Sequence, residues 1–435
     1  MTETTADETR VFTERESDVR SYCRNWPVVF DRADGIYQYT EHGKRYIDFF
    51  SGAGALNYGH NNPVLKRALL DYLEGDHVVH SLDTYTVAKR EFLETFEDVI
   101  LKPRKLDYKV QFPGPTGTNA VETALKIARN STGREDIVGF TNAFHGMTLG
   151  SLAVTGNSMK RNGAGTPLYH ATPAPYDDYF DGETADFMWL DRVWSDSGSG
   201  LATPAAVIVE TVQGEGGLKA ARAVWLRELQ ALCRRHGVLL IVDDVQAGCG
   251  RTGTFFSFEE AGIEPDIVCL SKSISGYGLP MALTLMRPEL DQWEPGEHNG
   301  TFRGHNPAFV TGTAALKTYW TDDALQHNVR ERSAQLREAL GRIAALTDGA
   351  TVRGRGLLAG IAFPDSEVAG KIAAAAFERG LLVETSGPES EALKIMPALT
   401  VTKDELAEGL DILVEAARDV LGATKATDRE PALTH

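Results

Sequence analysis

Two apolar runs in this 435-residue chain end in groups that could act on one ligand, an acid and an amine. Leu240-Ile-Val-Asp243-Asp-Val-Gln246-Ala-Gly-Cys-Gly-Arg251-Thr-Gly253 places Asp243 at the end of one run, and Asp266-Ile-Val-Cys-Leu-Ser-Lys272 places a lysine at the end of the next. Each has a plain reading alone: Asp243 as a strand-end cap, Lys272 as a solvated side chain. Their shared placement argues for more, because open α/β sheets collect ligands at the C-terminal ends of their strands. A lysine in such a crevice is partly desolvated, loses its proton readily and can form a Schiff base with a carbonyl. A carboxylate beside a pyridine nitrogen keeps that nitrogen protonated, and each unit of upward shift is worth about 1.4 kcal/mol. Gln246, three residues beyond Asp243, is placed to donate to a ring oxygen.

An anion site lies upstream. Phe112-Pro-Gly-Pro-Thr116-Gly117-Thr118-Asn119-Ala-Val-Glu122 reads as a strand, a Gly/Thr turn and a helix opening with Asn119-x-x-Glu122. Backbone N–H groups and hydroxyls at a helix N-terminus hold phosphate well, although an ordinary capped turn has the same composition. The next strand leads to Asn142-Ala-Phe144-His145-Gly146, where Phe144 is placed to stack on a ring or simply to fill core. Glu210-Thr-Val-Gln-Gly-Glu215-Gly-Gly217 adds a carboxylate and a glycine loop at the same edge. A strand-end amine, an acid for a ring nitrogen and a phosphate turn together point to pyridoxal 5'-phosphate, with Lys272 and Asp243 as the catalytic pair.

These residues need a sheet to position them. Lys109–Phe112, Ile137–Thr141, Ala206–Glu210, Val238–Asp243, Ile267–Leu270 and Ala282–Met286 are near-continuous apolar runs, as expected of strands buried on both faces. Helical stretches such as Asn119–Asn130 and Ala223–His236 separate them, which predicts a mostly parallel α/β sheet. Before it, Gly35 to Asp48 reads as a hairpin or meander, followed by a loop, Ser51 to His60, too glycine-rich for regular structure. After Asp322 the pattern is helix, strands, helix. The last helix opens with a capping box, Thr402-x-x-Glu405, and carries Leu406, Leu410, Leu413, Val414 and Leu421 on one face. The expected division is a large domain over 62–320 and a smaller α/β domain built from residues 1–61 and 321–435. Residues 1 to about 17 and Thr424–His435 are polar and expected to fray.

Composition excludes several partners. A formal net charge of −17 argues against nucleic acid and anionic membranes, and no stretch approaches the ~20 apolar residues of a membrane span. Four scattered cysteines (Cys23, Cys233, Cys249, Cys269) form no Cys-x-x-Cys pair, so neither zinc nor a disulfide framework is indicated, and a reducing cytoplasm is expected. A Rossmann nucleotide module would share the alternating pattern, but no Gly-x-Gly-x-x-Gly follows the early strands, and Lys272 would have no task there.

From about Phe30 to Leu421 the motifs resemble the class III (ω-amino-acid) aminotransferases of pyridoxal-phosphate fold type I. That family reads Asp-Glu-Val-Gln-x-Gly-x-Gly-Arg-Thr-Gly, then a strand, then Ser/Ala-Lys; here Asp244 replaces the glutamate. The resemblance implies a large domain with a mostly parallel seven-stranded sheet. It assigns the ring nitrogen to Asp243, the phenolic oxygen to Gln246 and the cofactor linkage to Lys272. It further implies phosphate contacts at Thr116, Gly117 and Thr118, ring contacts at Phe144 and His145, and a homodimer or dimer of dimers in which Thr301 reaches the partner's phosphate. Departures appear where the substrate binds. Met147 stands where many members have a carboxylate-binding arginine, Lys394 where some have a gate arginine, and Thr211 where a proline follows Glu210. The carboxylate clamp is therefore expected among Arg24, Arg303 and Lys394, with a Lys394–Glu210 pair.

Four segments narrow the resemblance to one branch: Tyr22-Cys-Arg-Asn-Trp-Pro-Val-Val-Phe, Phe50 to Pro63, Gly114 to Glu122, and Asp243 to Glu259. The reaction implied, a step of ectoine biosynthesis, passes the amino group of L-glutamate to L-aspartate 4-semialdehyde, giving L-2,4-diaminobutyrate and 2-oxoglutarate. The alternatives are an ornithine-, 4-aminobutyrate- or taurine-type ω-aminotransferase, or an aminomutase or racemase using the same cofactor. A cofactor-binding regulator is a poorer fit, since no DNA-binding segment is appended.

Overall fold

The computed structural model describes residues 8–180 and 187–427, so the two expected frayed ends lie partly outside the described residues. Within the first of them, Arg10–Arg15 is a short helix. The meander is present as β1 (Phe30–Asp34), β2 (Tyr37–Thr40) and β3 (Arg45–Asp48), antiparallel in sequence. The large sheet is built from β4 (Lys109–Gln111), β5 (Ile137–Phe140), β6 (Ala171–Ala174) and β7 (Ala206–Val209). A small ribbon, β8 (Val212–Gln213) with β9 (Lys219–Ala220), follows, and then the sheet resumes with β10 (Leu239–Asp243), β11 (Ile267–Leu270) and β12 (Leu283–Met286).

The order across the large sheet is β4-β12-β11-β10-β7-β5-β6, and only β12 runs against the other strands. Six of these strands match the apolar runs of the sequence. The seventh, β6, reads Ala-Thr-Pro-Ala and carries no apolar signal; as an edge strand it can include Pro173, whose missing N–H costs nothing on the open side. Parallel pairing drives the strand ends of β5, β7, β10 and β11 to one edge, which is where the Phe144, Glu210, Asp243 and Lys272 segments emerge. Helix Gly117–Thr132 packs its Ala120, Val121, Ala124, Leu125 and Ala128 onto the sheet as one fully buried face.

The C-terminal part contributes β13 (Thr351–Arg355), β14 (Leu358–Ala362), β15 (Leu381–Leu382), β16 (Glu384–Ser386) and β17 (Ala392–Ile395). Four of them form a separate antiparallel sheet, β13-β14-β17-β16, while β15 joins β3 in parallel, Leu382 beside Asp48. The two ends of the chain thus share one sheet. The last helix, Lys403–Thr427, starts at the expected box: Thr402 N–H donates to Glu405 Oε2 at 2.8 Å and Glu405 N–H returns to Thr402 Oγ1 at 3.3 Å. Leu406, Leu410, Leu413, Val414 and Leu421 are all buried. Among the described residues, no helix is long and apolar enough to cross a membrane.

Arg251 joins the pieces. Its guanidinium is wholly buried and donates to Asn57 Oδ1 from the N-terminal segment and to the carbonyls of Leu357 and Pro397 from the C-terminal part. No carboxylate pairs with it among the described residues, and burial lowers its pKa to about 9. The Arg-Thr-Gly of the motif is therefore a structural clamp between chain segments. Arg251→Ala strands three buried acceptors and empties a buried volume, so it is expected to cost about 3–5 kcal/mol in urea unfolding of the full chain. An unfolding midpoint equal to wild type would show that the segments are held together by other contacts.

Candidate active site

Lys272 leaves β11 through Ser271 and adopts a φ of 53°, in the left-handed region that non-glycine residues rarely occupy. That turn sends its side chain toward Ala53, whose carbonyl accepts from Lys272 Nζ at 2.9 Å. The acceptor is itself in an unusual place. Ser51, Gly52, Ala53 and Gly54 all have positive φ (49°, 58°, 56° and 86°), and Asp48 Oδ1 pins the turn by accepting the N–H groups of Phe50 and Ser51 at 2.8 Å each. His60 Nε2 lies 2.7 Å from the other oxygen of the buried Asp48. Burial lowers the Lys272 pKa to about 8, a shift that the charge of Glu215 partly offsets.

Asp243 closes β10 with its carboxylate buried. Oδ2 lies 2.7 Å from His145 Nδ1, and Oδ1 accepts the Val245 N–H at 3.1 Å. Burial opposes a charge on His145, yet the hydrogen bond and charge of Asp243 outweigh it and raise the histidine's pKa. Its second nitrogen, Nε2, is buried with no partner among the described residues. Glu210, at the end of β7, accepts the Phe144 N–H at 2.9 Å, and burial pushes its pKa up to about 8. Glu210 therefore props the Phe144-His145 turn from behind.

The phosphate turn forms with a different cap from the one expected. Thr116 is the N-cap of helix Gly117–Thr132, and Asn119 Oδ1 accepts from Thr116 N–H at 3.2 Å and from Thr116 Oγ1 at 2.7 Å. Glu122 faces the opposite way, accepting from Thr148 Oγ1 and, at 3.0 Å, from Ser151 N–H. The first-turn N–H groups of Gly117 and Thr118 have no acceptor within the helix. Gly117 has to be glycine, because a Cβ there would lie 2.8 Å from Val245 Cγ1.

Three expectations about the carboxylate clamp are corrected. Lys394 does not pair with Glu210. It stands opposite Glu384 in the β16–β17 ladder, and its buried Nζ lies 2.7 Å from Glu215 Oε1 and 2.9 Å from Glu384 Oε1. Burial works against a charged Glu215, but Lys394 and Lys272 hold its pKa down to about 2; burial raises that of Glu384. Arg24 does not face the site either: it donates to the Arg20 and Asp18 carbonyls at 3.0 Å each, closing the outer side of the turn whose Tyr22 faces inward. Arg303 reaches His298 O at 3.0 Å and lines another cavity, about 900 Å³, along the β4 edge with Phe112 and Trp293. Thr301 lies exposed on the same loop. Gln246 differs in sense as well. Its Nε2 donates to Ala53 O at 3.0 Å and Glu215 Oε1 at 3.2 Å, leaving Oε1, an acceptor, buried and unpartnered among the described residues.

Glu384 and Tyr22 were missed in the sequence. The signal for Glu384 was available: one acid in Leu381-Leu-Val-Glu384 and one lysine in Ala392-Leu-Lys394-Ile are opposite charges in apolar strands. Asp244 and Thr211, two of the four departures from the family pattern, serve packing. Asp244 Oδ2 accepts Ser257 N–H at 2.9 Å, and Thr211 Oγ1 donates to Ser257 Oγ at 2.6 Å.

A cleft of about 630 Å³ opens over this edge, lined by Tyr22, Phe144, Lys160, Glu215 and Glu384 among others. The donor set suits pyridoxal 5'-phosphate. A buried acid backed by His145, a lysine with a depressed pKa, an orphaned Gln246 oxygen and an open helix N-terminus converge on the strand ends.

Comparison with known proteins agrees. The aminotransferase class-III family model matches residues 20–417. A diaminobutyrate–2-oxoglutarate transaminase of Streptomyces avermitilis is 65% identical over 412 residues, covering 94% of this chain and 97% of that protein. One of the same name from Oceanobacillus iheyensis is 57% identical, covering 94% and 96%. Among solved structures, an ornithine aminotransferase from Toxoplasma gondii, carrying pyridoxal phosphate at partial occupancy in its active site, superposes with a TM-score of 0.84 at 25% identity, covering 98% and 96%. With its family model spanning nearly the whole length and these strand-end residues in place, the chain belongs to the class-III aminotransferases.

Proposed function

We propose that this enzyme passes the amino group of L-glutamate to L-aspartate 4-semialdehyde, giving L-2,4-diaminobutyrate and 2-oxoglutarate, in the cytoplasm and with pyridoxal 5'-phosphate as cofactor. The observation that carries the substrate reading is the 65% identity to a diaminobutyrate–2-oxoglutarate transaminase across almost the full length of both chains. When bound, the cofactor supplies an electron-withdrawing pyridinium ring. Everything else falls to the chain. Asp243 would keep a proton on the ring nitrogen, its carboxylate held in orientation by His145. Thr116, Gly117 and Thr118 would hold the phosphate, and Phe144 would cover the ring. Lys272 would hold the cofactor through its amine and, when free, would move the proton at the substrate's reacting carbon. An amine with a pKa near 8 suits both tasks better than an ordinary lysine, because a general base works best close to the operating pH.

Residues 62–320 act as the cofactor domain, and 1–61 with 321–435 as the smaller one; the β3–β15 pairing supports that division. The working unit is a homodimer. Support comes from an exposed apolar band, Val78, Val79, Leu82, Tyr85, Val87 and Phe302, of a kind that soluble chains seldom leave uncovered, lying beside exposed Thr301.

Three outcomes test this reading. Borohydride reduction is expected to fix the cofactor to the peptide carrying Lys272. Label on another lysine defeats the assignment. In steady-state assays diaminobutyrate is expected to exceed ornithine in kcat/KM by about 10-fold or more, one methylene being worth about 1–3 kcal/mol. A higher kcat/KM with ornithine, 4-aminobutyrate or taurine would move the enzyme to another branch. Thr301→Ala is expected to weaken cofactor retention without lowering the unfolding midpoint, and a fully active monomer in sedimentation would refute a shared site.

A further inference from the structure

Both proposed substrates carry a carboxylate at the same distance from the reacting carbon. In glutamate two carbons separate the reacting carbon from the distal carboxylate; in diaminobutyrate two carbons separate the terminal amine's carbon from its carboxylate. One cation, fixed at one place, can therefore serve both halves of the reaction. Among the described residues the cleft has a single candidate. Its lining includes three carboxylates, Glu215, Glu384 and Glu389, and one cation, Lys160. Lys394 lies behind this wall and is committed to Glu215 and Glu384.

Lys160 is held in place without being neutralised. Its backbone sits in the short helix Ser158–Asn162, where Asn157 Oδ1 accepts the Lys160 N–H at 3.0 Å. Arg161 anchors that helix by donating to the carbonyls of Leu152, Ala153 and Thr155 at 3.2, 2.7 and 2.9 Å. The Lys160 ammonium lies 4.2 Å from the centroid of the Phe144 ring and forms no ion pair among the described residues. An ammonium over an aromatic face is attracted to it but retains hydrogen-bond donors for an anion.

We propose that Lys160 binds the distal carboxylate of both substrates and so sets the chain length this enzyme accepts, a role that rests on the reaction assigned above. The acidic wall opposite, Glu384 and Glu389, then faces the second ammonium of diaminobutyrate. Ornithine, with one more carbon between its terminal amine and its carboxylate, overshoots the pair. Lysine's compact charge tolerates small differences in approach that an arginine fork would not.

The test pairs each acid with its decarboxylated counterpart: diaminobutyrate with 1,3-diaminopropane, and glutamate with 2-aminobutyrate. Lys160→Met is expected to lower kcat/KM for both acids by about 10- to 100-fold, mainly through KM, while leaving the two decarboxylated amines unchanged. Lys160→Arg, which keeps the charge but not its compact shape, is expected to recover only part of the loss. The inhibition constant of glutarate, which carries the carboxylates and no amine, is expected to rise by a similar factor. An equal loss with acids and amines, or an unchanged glutarate constant, would reduce Lys160 to a support for the Phe144 turn and overturn the proposal. Should the wild-type enzyme prefer another ω-amino acid, the assigned reaction falls, and Lys160 is judged by that acid against its own decarboxylated amine.

Discussion

Lys272 and Lys394 share a buried space with Glu215 and Glu384, and the rest of the site depends on how those charges balance. An isolated lysine buried to this degree would lose its proton or force water in. Here Lys394 is fixed as a cation by carboxylates from two different segments, the loop after β8 and strand β16. Glu215 offsets only part of the burial penalty on Lys272, whose amine stays poised near 8 while its neighbour is locked in charge. Replacing Lys394 with an uncharged residue would leave two acids facing Lys272 and return it toward an ordinary lysine. The pair of lysines thus divides two tasks that one could not perform.

Geometry is supplied from farther away. The left-handed turn Ser51–Gly54 presents one carbonyl, Ala53 O, to both Lys272 and Gln246, so the two residues following different strands are registered to a common point. That turn is strained, and it survives because Asp48 anchors it from β3 and Asn57, a few residues on, is clamped by Arg251. A residue in the N-terminal meander, far from any substrate in sequence terms, therefore helps to aim the reactive amine.

Much of this was legible beforehand because burial on both faces of a parallel sheet leaves a plain mark: Ala206–Val209 and Ile267–Leu270 offer water almost nothing. The placement of Asp243, Glu210 and Lys272 at the ends of buried strands was readable for the same reason. What failed was whatever depends on facing. Arg24 and Arg303 have the right charge, but only the fold shows that one closes an outer turn and the other lines a different cavity. Lys394 found its partner through strand register: opposite charges in two apolar runs hint at a pair, but only the register sets Glu384 beside it. Lys160 carried no motif at all. β6 escaped because an edge strand needs no apolar run, and Gln246 changed sense because two acceptors nearby claim its amide N–H groups.

The pairing of β3 with β15 also governs the order in which this molecule can be made. Asp48 lies beside Leu382, roughly 330 residues later in the chain. At about 5–20 residues per second on a ribosome, the first three strands wait on the order of tens of seconds for the neighbour that completes their sheet. The turn that aims Lys272 hangs from the end of β3, so it too lacks its finished support until then. The large sheet, whose last strand ends at Met286, can assemble well before that. Newly synthesised chains should therefore pass through a state in which the large sheet is formed and the β3 edge, an exposed row of hydrogen-bonding groups, is still open.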